Sequence, residues 1–218
     1  MTQLDTDARS EGLSESTRVE AFSDGVIAIA ITLLVLELRV PGLDPERPGR
    51  LTHDLLHEWP SYVAYVISFL VIGVMWVNHH SLFRDIVRVD RMLMFINLVL
   101  LLSIAVIPFP TAVVARYVTG APGDARAAAV LYSLVSVLVG FGFSAIRLWA
   151  LAHPYLLNPA MDVEAARAVR FQLRFYVGGI VYLLLIGVAL VSPIACMIGH
   201  LLMALYYVSE RLPSPPRN

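Results

Sequence analysis

The sequence contains no lysine, a single cysteine and few charged residues. Charged side chains make up 15% of its 218 residues, against roughly 25% in soluble globular domains. Cys196 has no second cysteine with which to form a disulfide within the chain. The net charge of −1 provides no basic excess for a phosphate backbone, so we expect no nucleic-acid partner. The acidic stretch 1–17 lacks the basic start and apolar centre of a signal peptide.

Long apolar runs accompany this shortage of charge. Hydrophobic residues make up 58% of the chain, and the mean hydropathy is +0.72. Continuous apolar runs favour helices over a barrel, because hydrocarbon leaves no partner for a bare peptide group. We therefore predict an all-α integral membrane protein with six transmembrane helices in residues 18–212, between a disordered cytoplasmic tail, 1–17, and a cytoplasmic tail, 213–218. The connection after the first helix contains a predicted amphipathic surface helix at 51–59. The predicted spans are about 18–38, 61–83, 92–115, 127–151, 171–191 and 194–211.

Prolines predict where two of the apolar runs break. Pro108 and Pro110 should bend or interrupt the third span, because proline removes a helical hydrogen bond and clashes with the preceding turn. The apolar run 171–212 would be about 63 Å long as one helix at 1.5 Å per residue, roughly twice a bilayer core. We place the break at Ser192-Pro193, which makes the last two spans a tight helical hairpin.

The distribution of arginine predicts the orientation. With six spans and the N-terminus inside, eleven of the sixteen arginines fall on the inner side. Basic residues near span ends concentrate on the cytoplasmic side. The bias predicts a multi-pass cell-membrane protein with both termini cytoplasmic. The five outer arginines are at positions 39, 47, 50, 116 and 126.

The first span carries polar and charged residues at one end. Arg18, Ser23 and Asp24 lie at or just inside the start of an otherwise apolar helix, where ionisable groups usually face a partner or a water-filled path. A helix cap is the simpler interpretation, and it stays open from these residues alone. If Asp24 has a partner on another helix, the best candidates lie at the end of the second span: Trp76, Asn78, His79 and His80.

A stripe of four residues follows on the same helix. Ile29, Thr32, Leu33 and Leu36 recur at the i, i+3, i+4, i+7 spacing of one helical face. Such a stripe packs against protein or lipid in most membrane helices. The alternative is a pore lining, in which apolar rings gate by dewetting and hydroxyls replace part of an ion's hydration shell.

The element Arg18-x-x-x-Phe22-Ser23-Asp24, continuing into Ala-Ile-x-x-Thr-Leu-Leu-Val-Leu, resembles the signature of the transmembrane protein 175 family of potassium channels. The resemblance implies a homotetramer in the lipid bilayer, with four first helices lining a central pore. Potassium would be the permeant ion, and no other cofactor is implied. The signature lies in the first span and the end of the second, while the architectural likeness covers the whole chain.

The same resemblance implies roles for individual residues. Thr32 matches the hydroxyl-bearing position associated with potassium preference. Which of the two adjacent histidines braces the Phe-Ser-Asp turn stays open. The implied apolar constriction consists of Ile29, with further layers at Leu33 and Leu36. The implied motif and structural network contains Arg18, Phe22, Ser23, Asp24, Trp76, His79 and His80.

Other functions have weaker sequence support. The filter Thr-Val-Gly-Tyr-Gly that is typical of potassium channels is absent. His53 and His57 have i, i+4 spacing, but two ligands make a weak metal site, so we predict no metal site and no enzyme. A proton-coupled cation transporter that uses Asp24 and a histidine of the second span is the main alternative. A non-catalytic membrane scaffold is a third.

Overall fold

The computed structural model describes residues 3–38, 40–42, 49–161 and 169–209, with side chains for 16–38, 40–42, 49–161 and 178–208. The regular secondary structure of these residues is mainly helical, with a short 3-10 helix at Pro154–Leu156 and an isolated bridge between Ile86 and Leu157. The predicted tail 213–218 lies outside the described residues. The helices are α1 (Gln3–Leu33, continued by a 3-10 helix, Leu34–Glu37), α2 (Leu51–His57), α3 (Trp59–Asp85), α4 (Arg91–Ala105), α5 (Pro108–Tyr117), α6 (Pro122–Ala152), α7 (Val169–Val191) and α8 (Pro193–Ser209).

Four helical segments of the described chain are long and apolar enough to cross a membrane. The apolar segments Gly178–Val191 and Pro193–Val208 are shorter. The predicted all-α class is therefore confirmed, while the count of six spans stays a prediction. The four long segments are Ser16–Glu37, Trp59–Asp85, Arg91–Tyr117 and Pro122–Ala152.

The first helix begins earlier than predicted. Its backbone is helical from Gln3, whereas we placed the start of the ordered chain at Arg18. Extending a formed helix costs far less than nucleating one, and no proline interrupts this segment. The hydroxyl of Ser16 donates to the carbonyl oxygen of Ile86 at 2.7 Å, which ties this part of α1 to the α3–α4 connection.

Proline sets the start of four helices. Pro60, Pro108 and Pro122 lie in the first turns of α3, α5 and α6, and Pro193 begins α8. A first-turn proline loses no hydrogen bond, and its fixed φ suits the helix. The predicted interruption of the third span is confirmed, since α4 ends at Ala105 and α5 begins at Pro108. The predicted break at Ser192-Pro193 is confirmed between α7 and α8.

Close backbone approaches position α6 against its neighbours. A Cβ added at Gly142 would lie 3.0 Å from the Leu100 side chain of α4. A Cβ at Gly140 would lie 3.5 Å from the Cα of Gly179 on α7. Membrane helices lack a hydrophobic drive towards each other and associate through such close packing, which small residues permit. Glycine therefore fixes the separation of α6 from α4 and α7.

Buried hydroxyl and imidazole groups link α3 to α5 and α6, and α6 to α8, within the apolar interior. Ser68 of α3 lies 2.7 Å from Thr111 of α5 and 3.0 Å from the hydroxyl of Tyr132 on α6. Ser133 of α6 lies 3.0 Å from Nε2 of His200 on α8. Interhelical hydrogen bonds of this kind average about 0.6 kcal/mol in a membrane, so they set helix orientation more than they set stability.

Asp90 fastens the connection between α3 and α4 to the end of α6. Its carboxylate accepts from the Leu93 backbone N–H at 2.7 Å, from Trp149 Nε1 at 3.0 Å and from the Tyr155 hydroxyl at 2.9 Å. Burial acts to raise the pKa of Asp90, but these hydrogen bonds stabilise the carboxylate and bring its pKa below the ordinary value. Asp90 therefore holds the end of α3, the start of α4 and the end of α6 together, and the Ser16–Ile86 bond brings α1 near Ser16 to the same end of the helix bundle.

Candidate pore helix and its anchoring network

One side of α1 is packed against the rest of the subunit. Ser23, Ile27, Ala30 and Leu34 are each at most 1% exposed. Their spacing of four, three and four residues places them along one helical face. Ile27, Ala30 and Leu34 belong to the apolar core shared with α3, α4 and α6. This side of α1 is therefore fixed by the fold of a single chain.

The opposite side of α1 has no cover in the described chain. Ile29 is 61% exposed and Leu36 72%, and Phe22 and Leu33 are also exposed. Thr32 lies on the same side, where its hydroxyl donates to the carbonyl oxygen of Ile29 at 2.9 Å. The structure thus brings the predicted stripe together on one face.

A buried hydrogen-bonded chain anchors α1 at Ser23, where its apolar part begins. Asn97 of α4 donates from Nδ2 to the Ser23 hydroxyl oxygen at 2.9 Å, and Oδ1 of Asn97 lies 3.0 Å from Nε2 of His79 on α3. The Ser23 hydroxyl donates to the carbonyl oxygen of Val19 at 2.8 Å. Because the amide oxygen only accepts, His79 must carry its proton on Nε2. Three helices are linked through groups that have no access to water.

A second, partly exposed set of contacts lies beside this chain. Nε1 of Trp76 donates to Oδ1 of Asp24 at 3.0 Å. Nδ1 of His80 lies 2.8 Å from Oε1 of Glu20, and the rings of Trp76 and His80 stack with centroids 6.4 Å apart. The adjacent histidines thus have different contacts: His79 reaches Ser23 through Asn97, and His80 reaches Glu20.

Two residues of the predicted network take no part in its hydrogen bonds. Arg18 and Phe22 are exposed on α1, and within the described residues Arg18 has no side-chain partner. Asn78, one of the candidate partners for Asp24, lines a groove beside α8 instead.

Sequence reasoning missed Asn97 and Glu20. Asn97 is the one amide in the apolar helix Arg91–Ala105, and a polar group at that depth is itself a signal of an interhelical partner. Glu20 lies between Arg18 and the Phe-Ser-Asp turn. Its acidic side chain could have been recognised as a partner for a histidine of the second span, but it is not part of the motif.

The histidine pair on α2 forms local contacts. The rings of His53 and His57 stack with centroids 5.6 Å apart, and His53 lies 3.1 Å from Asp54. Within the part of the chain that the structure describes, no three His, Cys, Asp or Glu side chains are placed to hold a metal ion.

Comparison with known proteins places this architecture in a family. Residues 18–108, which contain the apolar part of α1, α3, α4 and the network between them, match the family model described as endosomal/lysosomal potassium channel TMEM175. The chain is 50% identical, over 94% of its length and 98% of the relative's, to a potassium channel of Streptomyces collinus. The chain belongs to the TMEM175 family.

Other TMEM175 relatives extend the likeness across the whole fold. A potassium channel of Chamaesiphon minutus is 39% identical over 89% of this chain and 94% of the relative. The crystal structure of a lysosomal potassium-selective channel TMEM175 homolog from Chamaesiphon minutus superposes with a TM-score of 0.78 at 34% identity, covering 89% of this chain and 97% of that one. The protein is thus a membrane protein of an ion-channel family and not an enzyme.

Proposed function

We propose that this protein is a passive, potassium-preferring cation channel, formed by four copies of the chain with α1 of each lining a central pore. The observation that carries the proposal is the division of α1 into a packed side and an uncovered apolar side. The relatives named as potassium channels support the permeant ion. The arginine distribution supports a cell-membrane location with both termini cytoplasmic.

One end of the uncovered face suits cation entry. Glu37 is half-buried and directly follows Leu36, the last residue of the apolar stripe. Repeated around a symmetry axis, Glu37 forms an acidic ring at one mouth, and an acidic ring raises the local concentration of cations. Asp24 lies on the side of α1 that meets Trp76 and belongs to the anchoring contacts.

The apolar layers provide the constriction. Ile29, Leu33 and Leu36 cover about 10 Å of helix length, and their side chains project from the subunit surface. Four copies of each around an axis form successive apolar rings, which oppose hydration of a narrow passage and so gate it by dewetting. Ile29 is the constriction in this proposal, and the two leucines extend it.

Thr32 supplies the polar layer. Its hydroxyl proton is used in the bond to the Ile29 carbonyl oxygen at 2.9 Å. The oxygen is therefore left with its lone pairs free to accept, which is the arrangement that a cation needs from a hydroxyl ligand. A ring of such oxygens can replace part of the hydration shell of potassium.

The buried network keeps these rings in register. Ser23, Asn97 and His79 hold α1 against α3 and α4 from the packed side. The hydrogen bond from Trp76 to Asp24 also holds α1 against α3. In this proposal the network positions the pore helix and does not coordinate the ion.

Flux measurements separate the candidate functions. Purified protein in liposomes with a potassium gradient should give a current that reverses at the potassium Nernst potential, whatever the pH gradient. A reversal potential that follows the pH gradient would instead support the proton-coupled transporter. Absence of flux from folded, correctly inserted protein would support the scaffold. The mass of the solubilised complex tests the tetramer independently of flux.

A further inference from the structure

An open groove of ≈ 440 Å³ runs between α3 and α8, on a side of α3 that the anchoring network does not use. Its α3 wall is one helical stripe, because its members are spaced by four, three, four and three residues. The stripe is apolar at one end and polar at the other. Its members are Leu70, Val74, Val77, Ser81 and Arg84.

The groove has the dimensions of one membrane leaflet. Leu70 and Arg84 are about 21 Å apart along the helix at 1.5 Å per residue, and half of a bilayer including its headgroup region measures about 20–22 Å. Arg84 lies in the last turn of α3, at the boundary where Arg88 and Arg91 follow. The polar end is thus at headgroup level, and the apolar end reaches towards the bilayer centre.

The polar end presents donors for a phosphate. Arg84 is exposed and forms no ion pair within the described residues, and a guanidinium matches phosphate oxygens in charge and geometry. The Asn78 amide lies in the same wall and adds N–H donors. The Ser81 hydroxyl donates to the Val77 carbonyl oxygen at 2.8 Å, which leaves its oxygen as an acceptor for a headgroup hydroxyl.

Gly73 creates the space at the apolar end. It lines the groove, and a Cβ built on it meets nothing within 4 Å. A helix as long as this groove, about 10 Å wide, would occupy about 1,600 Å³, more than the ≈ 990 Å³ of empty space between the groove's atoms and the open solvent. The groove therefore suits an occupant thinner than a helix of a second copy of this chain.

We propose that this groove is a binding site for an anionic phospholipid, with one acyl chain along Leu70, Gly73 and Val74 and the phosphate held by Arg84 and Asn78. Anionic lipids concentrate in the cytoplasmic leaflet, and basic pockets between membrane helices bind their headgroups. A lipid in this position fills the cleft between α3 and α8. It braces the helix that holds α1, without contributing a ligand to the permeating ion.

Native mass spectrometry of the purified full-length protein tests the site. Phosphatidylglycerol and phosphatidylcholine are titrated against wild type, Gly73→Leu and Arg84→Gln, with inorganic phosphate as competitor. We expect wild type to retain phosphatidylglycerol in preference to phosphatidylcholine, and Gly73→Leu to lose the bound lipid. Arg84→Gln should reduce the preference about fivefold, which corresponds to about 1 kcal/mol for one basic residue at the surface.

Two matched variants control for the substitutions. A Cβ at the exposed Gly187 of α7 also meets nothing within 4 Å, and Arg126 is an exposed arginine on α6 outside the groove. Gly187→Leu and Arg126→Gln should both keep wild-type lipid retention. If Gly73→Leu fails to assemble, the lipid preferences of Arg84→Gln and Arg126→Gln still test whether the groove binds an anionic lipid.

Four results would overturn the proposal. The first is equal retention of both lipids by wild type, and the second is unchanged retention by Gly73→Leu. Displacement of the lipid by millimolar inorganic phosphate would show that the site recognises the phosphate alone and gains nothing from the acyl chain. A structure of the assembly with a neighbouring subunit seated in the groove would identify a second copy as the occupant. Because none of these readouts is ion flux, failure here leaves the channel proposal standing.

Discussion

The two sides of α1 differ in what holds them. The packed side contains Ser23 and Ile27, which are fixed by hydrogen bonds and core contacts within one chain. The other side exposes Ile29 and Leu36, which have no cover in the described chain. Changes on the packed side should therefore alter stability first, and changes on the uncovered side should alter permeation while the fold remains intact.

The largest effect is expected from breaking the buried chain. Asn97→Leu removes the acceptor of the His79 imidazole N–H and the donor to the Ser23 hydroxyl oxygen. A buried polar group left unsatisfied costs about 1–3 kcal/mol, more than the bond itself contributes. Thermal unfolding of the solubilised protein should show a clear fall in Tm. Ser103→Ala on the same helix is the control, because its hydroxyl bonds only to the Val99 carbonyl oxygen of its own helix. Equal Tm values for the two variants would contradict the anchoring role.

On the uncovered side, Ile29→Asn should raise potassium flux with little change in Tm. A polar ring wets the constriction, and we expect an increase of about tenfold, equivalent to about 1.4 kcal/mol of barrier. Leu184→Asn, at an exposed position of α7, is the matched control for an added polar group. Unchanged flux in liposomes from Ile29→Asn would remove Ile29 from the gate.

Asp90 offers a pH-dependent test away from the pore helix. Asp90→Ala removes the cap of α4, at a cost of about 1 kcal/mol. Since the pKa of Asp90 is lowered from 3.8 in the fold, its stabilisation is present above pH 4 and is lost as pH falls through the folded pKa. The Tm difference from wild type should be full at pH 7 and shrink below pH 4.

Asp124→Ala is the control for the Asp90 experiment. Asp124 lies in the first turn of α6, where no side chain caps the helix. It should change Tm less than Asp90→Ala at pH 7. A Tm difference for Asp90→Ala that persists unchanged below pH 3 would contradict the assignment of the pH effect to this carboxylate.

The smallest effect is expected from Thr32→Ala. Loss of one hydroxyl per subunit should lower the K⁺/Na⁺ permeability ratio about twofold to threefold, less than about 1 kcal/mol. Thr32→Ser retains the hydroxyl and should keep the ratio near that of wild type. Reversal potentials under bi-ionic conditions measure both. An identical ratio in wild type and Thr32→Ala would remove Thr32 from selectivity.

Helix positions could be predicted from the sequence because they depend on local features. Apolar length and the prolines at 108 and 193 predicted the helices and their breaks. The start of α1 at Gln3 could not be predicted, since a polar segment that continues a formed helix has no apolar signal of its own.

The contacts between helices were harder to predict, because they depend on helix rotation and pairing. The motif spacing identified Ser23 and Asp24, and the partner sought for Asp24 included Trp76. The motif spacing did not identify Asn97, because only the packing of α4 against α1 and α3 brings that amide between Ser23 and His79. Arg18 and Phe22 show the converse case, since their place in the motif does not reveal that both are exposed.

Cysteine accessibility tests the central claim most directly, because the one native cysteine, Cys196, is buried. In a Cys196→Ala background, a membrane-impermeant, charged thiol reagent is applied to reconstituted Leu36→Cys, Thr32→Cys and Ala30→Cys while potassium current is recorded. The account predicts modification and block for Leu36→Cys and Thr32→Cys, with no effect on Ala30→Cys, which lies on the packed side. Absence of modification at both exposed positions in conducting protein would mean that this face meets lipid or protein and not the permeation path.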